Sequence, residues 1–386
     1  MLSKVKSLLP IILISLVPTL LIWLPFFLRF ETFWKIPLPT QGMATIVANY
    51  DGPLFTIVAK TFYDKGVIAQ NYEFPLPTEY YAAHFPLYPL LIRISATLLG
   101  FPYALLTVTL LSSILAVYFF HKLIREFVDT KNAMWVTFVF SILPARWLIV
   151  RSVGSAEPLL VAAIIASIYY FRKKNYWLAG LWGAISQLTK APGLLLFIAY
   201  GLALITPNMK LIVTKSLSYW FKSLNLKKVY PILLIPLSLL GLFIYYQVRL
   251  NDFFAYFHSG DNIHLFFPPF QVFNYSAPWV GTFWLEEIIF IYLFGILGFL
   301  KLRRMKEPVI TWFVGIFFVS ILFVSHRDVI RYSLPIVPFL IAAWADTIAK
   351  KDFKIVVALL IIPIYLFSLA YISQNVMPIS DWAPFL

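Results

Sequence analysis

Long apolar runs separated by short polar segments dominate the chain. The first extends from Leu8 to Leu28. Others lie near 101–120, 132–150, 156–171, 176–190, 191–206, 229–248, 284–300, 308–325, 330–349 and 355–373. A helix needs about 20 apolar residues to cross a hydrocarbon core of about 30 Å. The runs are continuous and do not alternate in ten-residue segments, which argues for helices and against a β-barrel. The pattern predicts an all-α polytopic membrane protein with about 11 transmembrane helices, in a range of 9–12. Two longer polar stretches interrupt it, one over 29–100 and one over 249–283. Residues 1–386 read as a single membrane domain with no separate soluble domain. Lys4 and Lys6 flank the first run, but no small-residue cleavage pattern follows it, so an uncleaved first span is expected.

Composition agrees. The chain is 61% hydrophobic and 12% charged, whereas soluble domains are nearer half apolar and a quarter charged. Mean hydropathy is +0.83. Cysteine is absent, which excludes disulfides, thiolate metal sites and thiol nucleophiles. Aromatics reach 18%, a share suited to interface belts and to stacking on sugars or lipids.

Charge sets the expected sidedness. With the N-terminus in the cytoplasm and alternating spans, every inner loop is basic: Lys122, Arg125 and Lys131; Arg172, Lys173 and Lys174; the lysines of 210–228; Lys301, Arg303, Arg304 and Lys306; Lys350, Lys351 and Lys354. The whole of the formal net charge of +14 falls on that side, the outer side being close to neutral. The basic balance is therefore read as topology, with no nucleic-acid partner. Absence of a Walker-type glycine-rich loop disfavours ATP-driven transport. Span interiors hold few charges, which disfavours a transporter. The polar chemistry is expected at the outer face of the cell membrane.

The stretch VANYDGPLFTIVAK, residues 47–60, holds one acid there. Asp51-Gly52-Pro53 has the form of a helix start. Leu54, Ile57, Val58 and Phe62 fall on one face, with Thr56, Lys60 and Asp64 on the other. An amphipathic juxtamembrane helix lying on the outer membrane surface is expected. Asp51 is either its cap or a reactive carboxylate, which the helix N-terminus would keep ionised. Asp64, Glu73 and Glu79 are further acids in the same loop, with Asp64 the first competitor. His84, before the Pro86–Pro89 elbow, is a proton carrier, a ligand or a hydrogen-bonded interface residue. Arg151, Lys190, Arg249, His326, Arg327 and Arg331 are cations at span ends, either headgroup anchors or phosphate contacts. Glu157, close to Arg151, forms an ion pair or orients substrate. Asp252, His258, Asp261 and His264 match no metal-binding spacing, so no divalent metal is expected. Tyr256, Phe257, Phe266, Phe267, Tyr275 and Trp279 in the second loop are interface aromatics or sugar-stacking rings.

The order YDGPLFTIVAK, then AAHFPLYPLLIRI, then VGSAEPLLVAAIIASIYYFRKKNYWLAGLWGAISQLTKAPGLLL, then SHRDVIRYSLPIVPFLIAA resembles the GT-C superfamily of membrane glycosyltransferases. Within it the likeness is to the second mannosyltransferase of GPI-anchor synthesis and its prokaryotic relatives. Those proteins carry an acid in the first outer loop, an FFPLYP-like elbow, an S-E turn before a span, an LTRPTG segment and a late RY run. The likeness covers roughly residues 45–200 and 325–345. This chain departs from the pattern in having Tyr50 where the family has Trp, Leu54-Phe55 where it has His-Phe, and Ala156 before Glu157.

The resemblance implies an inverting enzyme. It would transfer a hexose, with mannose favoured, from a polyprenyl-phosphate sugar to a lipid-linked or glycan acceptor at the outer face. Asp51 would be the general base. Lys190, Arg327, Arg331 and Arg151 would meet the donor phosphate, and His84, Tyr88, Glu157, His326 and Tyr332 would contact substrate. No cofactor is implied; membrane lipids, the lipid-linked sugar and the acceptor are the partners. A lipid-linked glycan flippase, and a glycan polymerase or ligase, are the alternatives.

Overall fold

The computed structural model describes residues 2–72, 77–206, 226–260, 264–274 and 285–386. Helix forms in every one of the eleven apolar runs. Leu8–Phe27, Phe101–Ile124, Lys227–Leu250 and Lys351–Gln374 are each long and apolar enough to cross a bilayer unaided; at 1.5 Å per residue, 24 residues rise about 36 Å. Phe27, Val248 and Leu359 are among many large apolar side chains left exposed on these helices. Water would not tolerate such faces, but lipid solvates them. The protein is an all-α polytopic membrane protein.

Proline decides where several runs break. Pro144 divides the run expected as one helix over 132–150 into Thr130–Ile142 and Ala145–Val150, because proline cannot donate to the helix ladder and crowds the preceding turn. Pro192 opens a short 3-10 turn before Leu195–Ile205. Pro335 and Pro338 divide residues 329–343 into three short helical pieces.

The first long loop is more structured than its polar reading implied. It holds a two-stranded hairpin pairing Thr32–Phe33 with Ile36–Pro37, and short helices over Met43–Val47, Gly52–Thr61 and Lys65–Asn71. An apolar helix over Leu87–Leu99 then turns at Gly100, whose φ of 72° suits glycine.

The chain divides into two compact units. One comprises Met1–Ala162, Phe243–Asn262 and Ala345–Leu386; the other comprises Ala163–Leu242 and Ile263–Trp344. In the first, Leu2–Phe27 packs on Phe101–Ile124 and Thr130–Ile142, Leu87–Leu99 packs on Phe101–Ile124, and Lys351–Gln374 packs on Ala145–Val150. In the second, Leu195–Ile205 packs on Pro308–Leu322, and Leu285–Arg304 lies against Pro308–Leu322 and Val337–Ala343. There Arg172 donates through Nε and Nη2 to the two carboxylate oxygens of Glu307 at 2.9 and 2.8 Å.

Candidate functional site

Asp51 stands at the N-cap of the helix Gly52–Thr61, as its sequence context predicts. The backbone there is not extended (φ −89°, ψ 12°), and the carboxylate makes no capping hydrogen bond to the first turn. Capping normally needs the extended conformation that aims the side chain back at the N–H groups. The helix also lacks the exposed polar face expected of it. Gly52 through Ala59 and Thr61 are all buried, including Thr56 from the face read as polar. Leu87–Leu99 packs against it, and Thr56 and Thr61 satisfy their hydroxyls on the helix's own carbonyls, Gly52 O and Ile57 O. Asp51 itself is half-buried.

Two glycines allow the helix start to approach its neighbours. A Cβ on Gly52 would lie 2.3 Å from the Val47 carbonyl oxygen and 3.4 Å from that of Gly154, and one on Gly154 would lie 2.4 Å from Leu105 Cδ2. The turn that carries Asp51 thus packs on the turn that leads to Glu157.

That second turn continues a buried polar chain. The Tyr88 hydroxyl lies 2.5 Å from Thr109 Oγ1. Thr109 Oγ1 in turn accepts from the Ser155 N–H at 3.3 Å, and the Ser155 hydroxyl donates to Glu157 Oε2. Glu157 is 3% exposed and Tyr88 fully buried. Ser155 supplies, one residue earlier, the hydroxyl that Ala156 lacks. Buried polar groups of this kind hold only when each is paired. The His84 and Tyr88 rings both meet Phe55 edge-on, at 5.0 and 4.9 Å. His84 is almost wholly buried, and its carbonyl accepts from the Tyr63 hydroxyl at 2.5 Å.

The competing acids are engaged differently. Asp64 caps the helix Lys65–Asn71, accepting from Val67 N at 3.1 Å, and lies 3.4 Å from Arg249 Nη2. Glu79 pairs with Lys65 at 2.8 Å, and the Lys65 hydrogen bond holds its carboxyl below the ordinary range. Glu73 and Asp261, with Tyr275 and Trp279, lie outside the described residues. His258 and Asp252 pair at 2.6 Å, and that bond lowers the Asp252 pKa. His264 belongs to the second unit. Among the described residues no group of three His, Asp or Glu side chains is placed to hold a metal.

Arg151 occupies a position the sequence did not suggest. It is fully buried. Nη1 donates to the Ser141 carbonyl at 2.6 Å, and Nη2 to the carbonyl and hydroxyl of Ser15 at 2.5 and 2.7 Å. Its hydrogen bonds pin the first helix to the turn at Pro144; none of them goes to Glu157.

The second unit gathers the later candidates. Ser325 N donates to His264 O at 2.8 Å and Phe266 N to Phe323 O at 2.9 Å. This short pairing brings the His264 and His326 rings to 4.7 Å, with Tyr332 at 5.8 and 5.4 Å from them. Asp328 N donates to His326 Nδ1 at 2.9 Å, which leaves the ring proton of a neutral His326 on Nε2. Arg327 is exposed, and Arg331 and Tyr332 are half-buried. Lys190 ends the helix Tyr176–Thr189 in extended backbone, and its carbonyl accepts from Gly193 N at 3.1 Å. The LTKAPG segment is thus a tight turn in which a Cβ on Gly193 would lie 2.4 Å from Gln187 N.

The first unit also holds an apolar cavity of about 330 Å³, lined by residues of three segments that include Leu13, Val17, Leu21, Phe138, Ile361 and Tyr365. Ile361 and Tyr365 precede Tyr371 on one helix by ten and six residues, about 15 and 9 Å of rise. Tyr371 lies beside Tyr50, the two rings tilted by 31° with centroids 5.8 Å apart.

No protein-family model matches the sequence, and no curated protein matches it either. Solved structures share its fold. ArnT from Cupriavidus metallidurans bound to undecaprenyl phosphate superposes with a TM-score of 0.55 at 14% identity, over 91% of this chain and 62% of that one. The oligosaccharyltransferase AglB from Archaeoglobus fulgidus, in complex with an inhibitory peptide and a dolichol-phosphate, does so with 0.52 at 15% identity, over 98% and 57%. The chain therefore spans about three-fifths of the length of these proteins. The fold described here is of the type these structures share.

Proposed function

We propose that this protein is a membrane glycosyltransferase that moves one hexose from a polyprenyl-phosphate donor to a lipid-linked or glycan acceptor at the outer membrane face. Mannose is the sugar favoured by the motif order. The observation that carries this reading is the fold shared with ArnT bound to undecaprenyl phosphate, with Asp51 half-buried at the start of a buried helix. In an inverting displacement the acceptor oxygen attacks the anomeric carbon, its proton passes to Asp51, and the bond to the phosphate breaks with its electron pair leaving on the phosphate oxygen. Arg331, Arg327, Lys190 and His326 are assigned to the phosphate, and Tyr332 and Glu157 to substrate orientation. His84 and Tyr88, buried against Phe55, support the Asp51 helix. Arg151, whose hydrogen bonds lie inside the protein, is left to hold the first helix. The apolar cavity fits part of an isoprenoid tail. The fold shared with ArnT bound to undecaprenyl phosphate supports this donor class.

A second reading, transfer of a larger lipid-linked glycan, is favoured by the comparable likeness to an oligosaccharyltransferase. One experiment addresses both. Purified wild type, Asp51→Asn and Asp64→Asn are given labelled polyprenyl-phosphate hexoses and membrane lipids, and products are weighed by mass spectrometry. Asp51→Asn is expected to lose about 10²–10⁴-fold in rate, with Asp64→Asn remaining active. A product gain of one hexose supports the first reading, and a gain of a whole glycan the second. Undiminished transfer by Asp51→Asn removes that residue from the mechanism.

A further inference from the structure

The turn that carries Asp51 is held from the far end of the sequence. Asn49, two residues before it, is fully buried. Its Nδ2 donates to the carbonyl of Ile372, 323 residues away, at 2.7 Å, and its Oδ1 accepts from Asn375 Nδ2 at 3.1 Å. Its backbone pairs antiparallel with Val376, and Met377 N donates to the Ala48 carbonyl at 2.8 Å. The last four carbonyls of a helix have no partner within it. Asn49 supplies one to the Lys351–Gln374 helix and is itself satisfied in return.

Between Asn49 and Asp51 stands Tyr50, with a φ of 49°. That left-handed conformation is unfavourable for a residue with a Cβ and persists only where its surroundings enforce it. The Tyr50 hydroxyl accepts from Arg146 Nη1 at 3.0 Å, and the Arg146 guanidinium lies 3.7 Å over the Tyr371 ring. At the other end of the same helix, Lys60 Nζ donates to the Pro384 carbonyl at 2.7 Å, and the Tyr72 hydroxyl donates to the same oxygen at 3.1 Å. Residues 371–386 therefore clasp the Asp51 helix at both ends.

We infer that Asn49 is a positioning residue: through its clasp with Ile372, Asn375 and Val376 it holds the left-handed Tyr50 and so the direction of the Asp51 carboxylate. The inference rests on Asp51 being the base. An asparagine that merely filled the core would affect folding but would not aim a proton acceptor. Proton transfer is sensitive to small misplacements, whereas the residues assigned to the donor phosphate, Arg331, Arg327, Lys190 and His326, are not on this turn.

Two measurements on the purified full-length chain test it. In transfer assays with a polyprenyl-phosphate hexose, Asn49→Ala and Asn375→Ala should each lower kcat by about tenfold or more per donor-binding site while KM for the donor stays within about twofold. The double variant should fall no further than the poorer single, because both remove one clasp. Wild-type kcat in Asn49→Ala, a KM effect without a kcat effect, or multiplying losses in the double variant would overturn the inference. Amide hydrogen exchange reads the clasp without activity: residues 48–55 should exchange about tenfold faster in Asn49→Ala, with 101–124 unchanged. Unaltered exchange at 48–55 would equally overturn it. Full transfer by Asp51→Asn together with faster exchange at 48–55 would instead sink the assignment of the base and leave the clasp standing.

Discussion

Two carboxylates thirteen positions apart, Asp51 and Asp64, both begin helices in the first long loop, and the protein uses them in opposite ways. Asp64 sits in extended backbone, caps an exposed helix and lies within ion-pair distance of Arg249. Asp51 begins a helix buried along nearly its whole length and gives that helix no capping bond. The buried helix is held by packing, by glycines at close contacts and by the Asn49 clasp, so it does not depend on its N-cap. The exposed helix has few such contacts, and a cap matters more to it. The difference shows that an acid at a helix start caps where the helix is exposed and need not cap where packing already holds the helix.

The strongest way to break this contrast is the exchange of each acid for its amide. Asp51→Asn is expected to remove transfer by several orders of magnitude and Asp64→Asn to retain it; the reverse order of activities would invert the two assignments. Next in size is a pair of glycine substitutions. Gly52→Ala drives a methyl to within 2.3 Å of a backbone carbonyl, and a loss of about 1–3 kcal/mol is expected from overpacking. Gly66→Ala meets only Asp64 Oδ1 at 3.4 Å, and a gain of about 0.5–1 kcal/mol is expected from helix propensity. Thermal unfolding in detergent checks both, and equal effects would refute the contrast between a packed and an open helix. Asp64→Ala should cost about 1 kcal/mol through the lost cap, seen as faster amide exchange over 65–71.

The smallest effect concerns pH. Hydrogen bonds from Lys65 and His258 lower the pKa values of Glu79 and Asp252. A carboxyl whose folded pKa is depressed contributes stability above its unfolded value, and loses it as pH falls through the folded one. The loop should therefore loosen below about pH 4, slightly, because both groups are largely exposed and screened. Exchange over 65–72 and 252–260 measured from pH 6 to 3 checks this, and no change would show that the pairs do not order the loop.

Much of the fold was legible because its signals are local. Apolar runs located helix in eleven stretches, four of them long enough to cross a bilayer among the described residues, and Asp-Gly-Pro located a helix start. Proline marked breaks, although the one at Pro144 was hidden inside an otherwise continuous apolar run. The surroundings of the helix over Gly52–Thr61 are not legible locally. Its apolar stripe is the same whether lipid or protein covers it, and the burial of Thr56 and Thr61 depends on hydroxyls bonding to their own helix. Arg151 read as a surface cation because nothing nearby in sequence reveals that Ser15 and Ser141 await it.

Sequence alone settled that the chain is helical, membrane-embedded and rich in polar candidates between its spans, since hydrophobicity and turn chemistry act over a few neighbouring residues. Tertiary structure decided which acid caps and which does not, that Ser155 serves Glu157, and that Asn49 meets Ile372 and Asn375. Those outcomes depend on groups brought together from distant positions, and on hydrogen bonds whose angles and burial no local pattern encodes.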